Sequence, residues 1–526
     1  MITGLPLTRL HHLVEHTAAA LPDRPALTYG EETQAYAELW RRIAAAGDLL
    51  TRLGLQPGDR VAVFAEKRLE TVTAIFGCSV AGGVFVPVNP VLRPAQVGHI
   101  LTDCEARFLI TTAERLGTLW PTLTSSTVEH VIVIGASAAE PAETGGPQRH
   151  DWAASMITDP PAGPTGHGVD LDPAAILYTS GSTGRPKGVV LSHRNLIAGA
   201  ESVAGYLGND HHDVILAVLP LGFDAGFSQL TTAFRSGARV VLLNYLLPRD
   251  VPRLCERHGV TGLTCVPPLW LQLAGLDWPD AARQRLRYFA NTGGRLPRST
   301  LARLRELFPA AHPYLMYGLT EAFRSTYLDP AQVDLRPDSI GKAIPNAEIL
   351  VVRPDGSRCG PGEEGELVHR GSLVALGYWN DPVRTSERFR PVPGPTASWR
   401  QPELAVWSGD RVVADADGYL YFVGRTDEMI KTSGYRVSPT EVEEAAYATG
   451  MVRDAVALGV PDDRLGQRIV LLATENGHPL TTSALLAELR RELPHFQVPS
   501  EVIVRAELPR SANGKYDRAL LRTELG

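Results

Sequence analysis

The segment Tyr178-Thr-Ser-Gly-Ser-Thr-Gly-Arg-Pro-Lys-Gly188 has the residue types and spacing to hold a polyphosphate. Glycines and small hydroxyl residues let backbone N–H groups and hydroxyls converge on phosphate oxygens without side-chain bulk, and Lys187 adds a mobile positive charge. The order is not that of a Walker A loop, GxxxxGK[ST]. A flexible Gly/Ser loop has a similar composition, but the eleven-residue string as a whole is highly specific.

Such a loop needs a rigid support. The apolar residues 174–177 read as a strand from which it departs. Residues 60–64, 128–134, 239–243 and 261–265 read as further strands, and 81–89 holds another. Leu39, Ile43, Ala46, Leu49 and Leu50 give 35–53 the spacing of a helix. This alternation predicts an α/β fold of layered, largely parallel sheets. The stretch 140–168, rich in Pro, Gly and Thr, reads as a surface loop. From about Ile340 shorter β-like pieces, with turns at Pro354-Asp355-Gly356, Pro361-Gly362 and Asp417-Gly418, predict a partly antiparallel β subdomain. The last hundred residues read as helix 439–447, strands 454–459 and 468–473, helix 482–493, strand 501–504 and a final helix. The expected division is a large N-terminal domain, 1–426, and a small α+β C-terminal domain, 427–526.

A chain of 526 residues exceeds one ordinary domain and can bury a full core. With 44% hydrophobic and 21% charged residues, the composition is that of a soluble globular protein. The 51 Lys and Arg against 58 Asp and Glu leave a formal charge of −7, which supports neither a nucleic-acid nor a membrane partner. Cys78, Cys104, Cys255, Cys265 and Cys359 are scattered and form no CxxC, which argues against a disulfide framework or a zinc site. His11, His12, Glu15 and His16 interrupt the N-terminal stretch, and no segment is apolar for long enough to span a bilayer. The expected location is the cytoplasm.

The string at 178–188 resembles the phosphate-binding signature of the ANL superfamily of AMP-forming adenylating enzymes. That superfamily includes acyl-CoA synthetases, nonribosomal-peptide adenylation domains and luciferases. Other segments resemble family motifs in the same order: Asn291-Thr-Gly-Gly294, Tyr317-Gly-Leu-Thr-Glu321, Gly365-Glu-Leu, Gly377-Tyr-Trp-Asn380 with Arg388-Phe389, and Ser408-Gly-Asp410. Gly424-Arg-Thr-Asp427, Lys431-Thr-Ser-Gly-Tyr-Arg436 and Ala512-Asn-Gly-Lys515 complete the set, so the resemblance covers essentially the whole chain.

The resemblance implies an enzyme that uses ATP and Mg²⁺ to convert a carboxylic acid to an acyl-adenylate and then passes the acyl group to a thiol. It assigns Thr179, Ser180, Gly181, Ser182, Thr183, Gly184 and Lys187 to the nucleotide, with Gly293, Gly294, Tyr317, Asp410 and Arg425. Glu321 is a hard oxygen ligand suited to Mg²⁺, with Thr183 as a second ligand, and Thr320 hydrogen-bonds phosphate. Asp410 can accept from both ribose hydroxyls. Lys515 stabilises charge on the carboxylate and the bridging phosphate oxygen as pyrophosphate leaves. The small C-terminal domain is mobile in the family. It turns about a hinge, here Asp427, so that Lys515 leaves and 431–436 enters for the transfer step. No cysteine falls in a family catalytic motif, so the thiol belongs to the acceptor.

The block Leu219-Pro-Leu-Gly-Phe-Asp-Ala-Gly-Phe-Ser-Gln229 looks like the FDxS block of amino-acid adenylation domains. Asp224 there either pairs with a substrate ammonium or caps the helix that follows. Phe223, Phe227, Ser228, Thr292, Gly318 and Arg324 are further substrate-pocket residues by motif offset. Arg324 suits a second substrate carboxylate or an acceptor phosphate. The expected substrate is an amino or β-amino acid. No carrier serine motif follows Lys515, so the expected acceptor is a separate acyl or peptidyl carrier protein. An AMP-forming acyl-CoA ligase using CoA is the alternative. An inactive scaffold on the same fold is disfavoured by intact Lys187, Glu321, Asp410 and Lys515. Lys515→Ala should abolish ATP–pyrophosphate exchange yet leave thioester formation from supplied acyl-adenylate largely intact. Full exchange in that variant would overturn the assignment.

Overall fold

Strands that are apolar on both faces must be covered on both sides, and this chain covers them with helices. The computed structural model describes residues 6–135, 146–156, 168–179, 186–394, 398–425, 429–509 and 516–525. One eight-stranded sheet runs in the order Gly377–Tyr378, Lys187–Ser192, Pro173–Thr179, Val84–Pro87, Arg60–Phe64, Phe108–Thr112, His130–Ile134 and Gln148–Asp151. It is parallel from Pro173–Thr179 onward. Lys187–Ser192 returns antiparallel to Pro173–Thr179, so the phosphate-type loop joins two neighbouring strands.

A second sheet has a parallel half made of His312–Tyr317, Tyr288–Asn291, Gly262–Cys265, Val214–Ala217, Arg239–Leu242 and Pro25–Tyr29. Helices Tyr36–Arg52, Leu69–Ala81, His193–Leu207 and Asp224–Ser236 lie between the two sheets and share one core with both. Every residue of Leu69–Ala81 except Glu70 is buried, which removes the one-sided pattern of a surface helix. Asp250–His258, Pro267–Ala274 and Arg298–Leu307 cover the outer face of the second sheet. Pro94–Asp103 and Ala113–Leu123 cover the outer face of the first. A third, five-stranded sheet is built wholly from residues after Met429 and has its own core, from Ile430 to Phe496. Among the described residues no helix is long and apolar enough to cross a membrane.

One expectation is met in a form the sequence did not specify, and one needs correction. The predicted β subdomain is present as the antiparallel strands Ala347–Val352, Glu364–Gly371, Leu404–Ala414 and Leu420–Arg425, and it is joined to the second sheet. Its strands continue the second sheet: Thr326–Leu328 pairs antiparallel with His312–Tyr317, Ser339–Ala343 pairs antiparallel with Thr326–Leu328, and Leu420–Arg425 pairs with Ser339–Ala343. The predicted loop 140–168 also contains an edge strand, Gln148–Asp151, parallel to His130–Ile134, followed by a helical turn at Trp152–Ser155. The strand was hidden because it is polar, as an edge strand tends to be. Arg149 lies over the Trp120 ring, and the His150 and His130 rings meet at 3.0 Å. Residues 136–145 and 157–167 lie outside the described residues.

The connection from strand Val214–Ala217 to helix Asp224–Ser236 is pinned by Gly226. A Cβ there would lie 1.9 Å from the Pro220 carbonyl oxygen. The loop lies directly on the first helical turn, and the Phe223 amide donates to that same oxygen at 3.1 Å. Gly226→Ala must therefore push the loop that carries Phe223 and Asp224 off the helix. It should cost about 1–3 kcal/mol, as overpacking does, measured by urea unfolding. Unchanged stability would show that the loop is free to move.

Candidate functional site

Two adjoining cavities open where the first and second sheets meet the third. The inner one, ≈170 Å³, is lined by Thr179, Phe223, Asp224, Thr292, Gly293, Gly318, Thr320, Arg324 and Asp410, all singled out from the sequence. The outer one, ≈730 Å³, shares Asn89, Leu219, Phe223, Val266 and Tyr435 with it.

Lys187 opens the strand that returns from the phosphate-type loop. Its Nζ donates to Glu321 Oε1 at 3.1 Å and to the Tyr378 hydroxyl at 2.6 Å, and it sits 4.0 Å from the centre of the Tyr378 ring. The Tyr378 hydroxyl donates to the same carboxylate oxygen at 2.7 Å. Glu321 is only 1% exposed. Burial alone would raise its pKa, but Lys187, with Arg388 and Arg436 behind it, outweighs burial and holds it well below the usual carboxylate range. Burial lowers the Lys187 pKa, opposed by Glu321.

Glu321 stands in a single 3₁₀ turn, Thr320–Ala322. Phe323 follows at φ 54°, ψ −48°, and the Arg324 amide donates to the Ala322 carbonyl at 2.5 Å. That is a γ-turn of the strained kind. It buries Phe323 and turns Arg324 inward, where Nη1 donates to Thr292 Oγ1 at 2.7 Å. The Arg324 Nε is buried and has no hydrogen-bond partner among the described residues.

Asp224 is the first residue of its helix and follows Phe223, whose backbone is extended. Its Oδ1 accepts only from the adjacent Ala225 amide, at 2.6 Å, a weak form of the capping role. Burial raises its pKa, and Arg324 draws it partly back. Asp410, 2% exposed, accepts from the Tyr317 hydroxyl, and its own amide donates to Ser408 Oγ at 3.0 Å.

From the third sheet, Lys431, Gly434, Tyr435 and Arg436 reach the inner cavity. Gly434 has φ 81°, and a Cβ there would meet Val266 Cγ1 at 2.9 Å. Only glycine fits this approach of the 431–436 segment to the wall beside Gly293.

Some sequence-named residues lie elsewhere. Phe227 is in the core, with its ring 5.0 Å from Phe85 and 6.2 Å from Phe76, because its face of helix Asp224–Ser236 turns toward helix Leu69–Ala81 and strand Val84–Pro87. Ser228 lies deeper, in a small recess of ≈20 Å³ with Thr232, Tyr288, Met316 and Arg324. Gly294 borders a third cavity beyond Gly293. The Arg425 backbone pairs opposite Asp410, and its side chain is outside the described residues. Ser180, Gly181, Ser182, Thr183, Gly184, Asp427 and Lys515 also lie outside them. Sequence reasoning gave no role to Tyr378, although it stood inside a quoted motif, or to Arg388 and Arg436, which act on Glu321 across the fold.

The donor set fits a nucleotide. Thr179 Oγ1 and Asn291 Oδ1 are buried without hydrogen-bond partners among the described residues, beside the inner cavity and beside Gly293. It also fits Mg²⁺, which takes one or two protein carboxylates and completes its shell with phosphates and water; Glu321 is such a carboxylate. The cluster His11, His12 and Glu15 has ligand-type atoms within 4.8 Å of one another. It is not a metal centre, because His12 Nδ1 accepts from the Thr8 and Arg9 amides, which leaves the proton on Nε2.

A family model described as AMP-binding enzyme matches residues 14–379, and one described as AMP-binding enzyme C-terminal domain matches 441–515. The chain is 31% identical over 512 residues to feruloyl-CoA synthase of Amycolatopsis sp, covering 96% of each. It is 30% identical over 550 residues to the long-chain-fatty-acid–CoA ligase of Salmonella typhimurium, covering 98% of this chain and 94% of that one. The structure of o-succinylbenzoate CoA synthetase from Bacillus subtilis superposes with a TM-score of 0.82 at 25% identity, over 97% of this chain and 98% of that one.

Glu321→Gln removes the counter-charge of buried Lys187 and should cost about 3–5 kcal/mol, as breaking one side of a buried pair does. The sign follows from the depressed pKa. The contribution is full above the usual carboxylate value and is lost as pH falls through the lowered one. Urea titrations at neutral pH and below pH 4 should therefore show a gap between wild type and variant that narrows in acid. An equal gap at both would contradict the pairing.

Proposed function

Since the chain belongs to the AMP-binding enzymes of the ANL superfamily and is an AMP-forming ligase that adenylates a carboxylic acid with ATP, we propose that this acid is short and carries an amino group. The acyl group then passes to the phosphopantetheine thiol of a separate carrier protein. The observation that carries this reading is Asp224. Its carboxyl lies in the inner cavity, and no ion pair joins it to a cation among the described residues. A substrate ammonium would supply the missing charge. Beyond it the ≈20 Å³ recess, with Ser228, Thr232, Tyr288 and Arg324 on its wall, has no room for a long chain.

In this reading Asp410, held by Tyr317, takes the ribose hydroxyls, and Thr179 and Lys187 take phosphate oxygens. Glu321 holds Mg²⁺, whose charge supports phosphoryl transfer. The units 1–426 and 427–526 move about Asp427, which exchanges Lys515 for the 431–436 segment. Support comes from the separate core of the third sheet and from the polar contacts at its seam. Arg93 Nη2 donates to the Arg490 carbonyl at 2.9 Å, and Gln96 Nε2 donates to Glu441 Oε1 at 3.0 Å.

A second reading is an acyl-CoA ligase for a short acid with another carboxylate. It is favoured by the Arg324 Nε, which has no partner among the described residues, and by relatives named as CoA ligases.

ATP–pyrophosphate exchange with matched acids, with and without an amino group, separates the two. Wild type should prefer the amino acid by a factor that corresponds to about 2–5 kcal/mol. Asp224→Ala should lose activity on it and lose the preference. A wild-type preference for the plain or dicarboxylic acid would sink the amino-acid reading.

A further inference from the structure

Lys67 lines the outer cavity and is 7% exposed, yet no step described so far uses it. Its Nζ donates to the Val218 carbonyl at 2.8 Å and the Leu219 carbonyl at 3.1 Å. Its backbone is clamped by Asn244, whose Oδ1 accepts from the Lys67 amide at 3.0 Å and whose Nδ2 donates to the Lys67 carbonyl at 2.7 Å. Among the described residues no carboxylate pairs with Lys67. Cys265 is the ionisable group nearest in effect. Glu66 on the same wall is taken by Arg115, at 2.9 Å from its Nε. Arg464, Tyr245, Tyr435 and His495 complete the titratable or charged wall.

A buried ammonium with no counter-charge gives up its proton. Burial pulls Lys67 down to about 7. A neutral amine has two N–H bonds and one lone pair. The two carbonyls use both N–H bonds and leave the lone pair. The cavity wall is largely apolar with a few polar groups, and its ≈730 Å³ suits a linear, uncharged chain. Leu219, whose carbonyl accepts from Lys67 at 3.1 Å, lines both cavities, which places the amine close to where the two cavities join.

We propose that Lys67 is the proton acceptor of the transfer half-reaction. A thiol arriving through the outer cavity gives its proton to the Lys67 amine. The sulfur bonds to the acyl carbon, the bond from that carbon to the phosphate oxygen breaks, and AMP leaves with the electron pair. The Lys67 ammonium returns its proton to water at the cavity mouth. This rests on the thiol-transfer reading of the same site.

The test uses the full chain, the best acid of the exchange panel and pantetheine as the thiol. Thioester formation is followed from preformed enzyme-bound adenylate as a function of pH. Wild type should rise to a plateau above about pH 7. Lys67→Arg keeps both donors to Val218 and Leu219 but stays charged at every pH of the assay, and Lys67→Met loses both donors. Both should lose roughly 100-fold in transfer, with rates climbing along the thiol's own ionisation and pyrophosphate exchange within a few-fold of wild type. His495→Gln, which removes the imidazole from the same wall, should keep the plateau. An arginine variant that transfers like wild type would overturn the proposal. So would a methionine variant that loses both half-reactions equally, or a wild-type profile without the neutral limb. If no acid supports exchange in wild type, adenylation itself fails. If exchange is present and pantetheine is never acylated, the thiol reading fails.

Discussion

The buried contact among Lys187, Glu321 and Tyr378 is the constraint around which the site is arranged. Its three members come from a strand of the first sheet, a turn leaving the second sheet and the short edge strand Gly377–Tyr378. Two charges and a hydroxyl this far from water are tolerable only when each faces the other, because an isolated buried ion costs several kcal/mol. The contact therefore fixes how the two sheets meet. It also sets the edge of the inner cavity, because Thr320 and Arg324 lie one residue before and three after Glu321.

Around that point the fold stores groups that ordinary packing would not leave as they are. Arg324 is turned inward by a strained γ-turn, Asp224 is held at a raised pKa, and Thr179 and Asn291 keep oxygens without partners among the described residues. Each carries a modest penalty, and together they gather around the candidate site. The same logic separates this region from the His11–His12–Glu15 cluster, where backbone amides already satisfy the ring nitrogen of His12.

The third sheet meets the rest of the molecule through a different kind of contact. Its core is its own, and its seam combines polar side chains, the Phe223 and Tyr435 rings 5.0 Å apart, and the close approach of Gly434 to Val266. Seams of this kind hold a geometry without the large apolar burial that would make it permanent. That is what the proposed movement of this unit would require.

The sequence by itself determined the family, the parallel strands and many of the residues that line the inner cavity. Those depend on short-range patterns: an apolar run before a glycine-rich string, and motifs in a fixed order. It also placed Asp224 and Arg324 in one pocket by motif offset. Only the tertiary structure decided which residues share a wall. Phe227 reads as a pocket residue by offset but packs between Phe76 and Phe85, and Gln148–Asp151 reads as loop but pairs as an edge strand. Lys67 carries no signal in its own segment. Its lowered pKa comes from burial, and its Nζ meets carbonyls 151 and 152 residues away that only the fold brings to it. Burial and charge pairing are properties of the neighbours that folding brings together, and a linear pattern does not contain them.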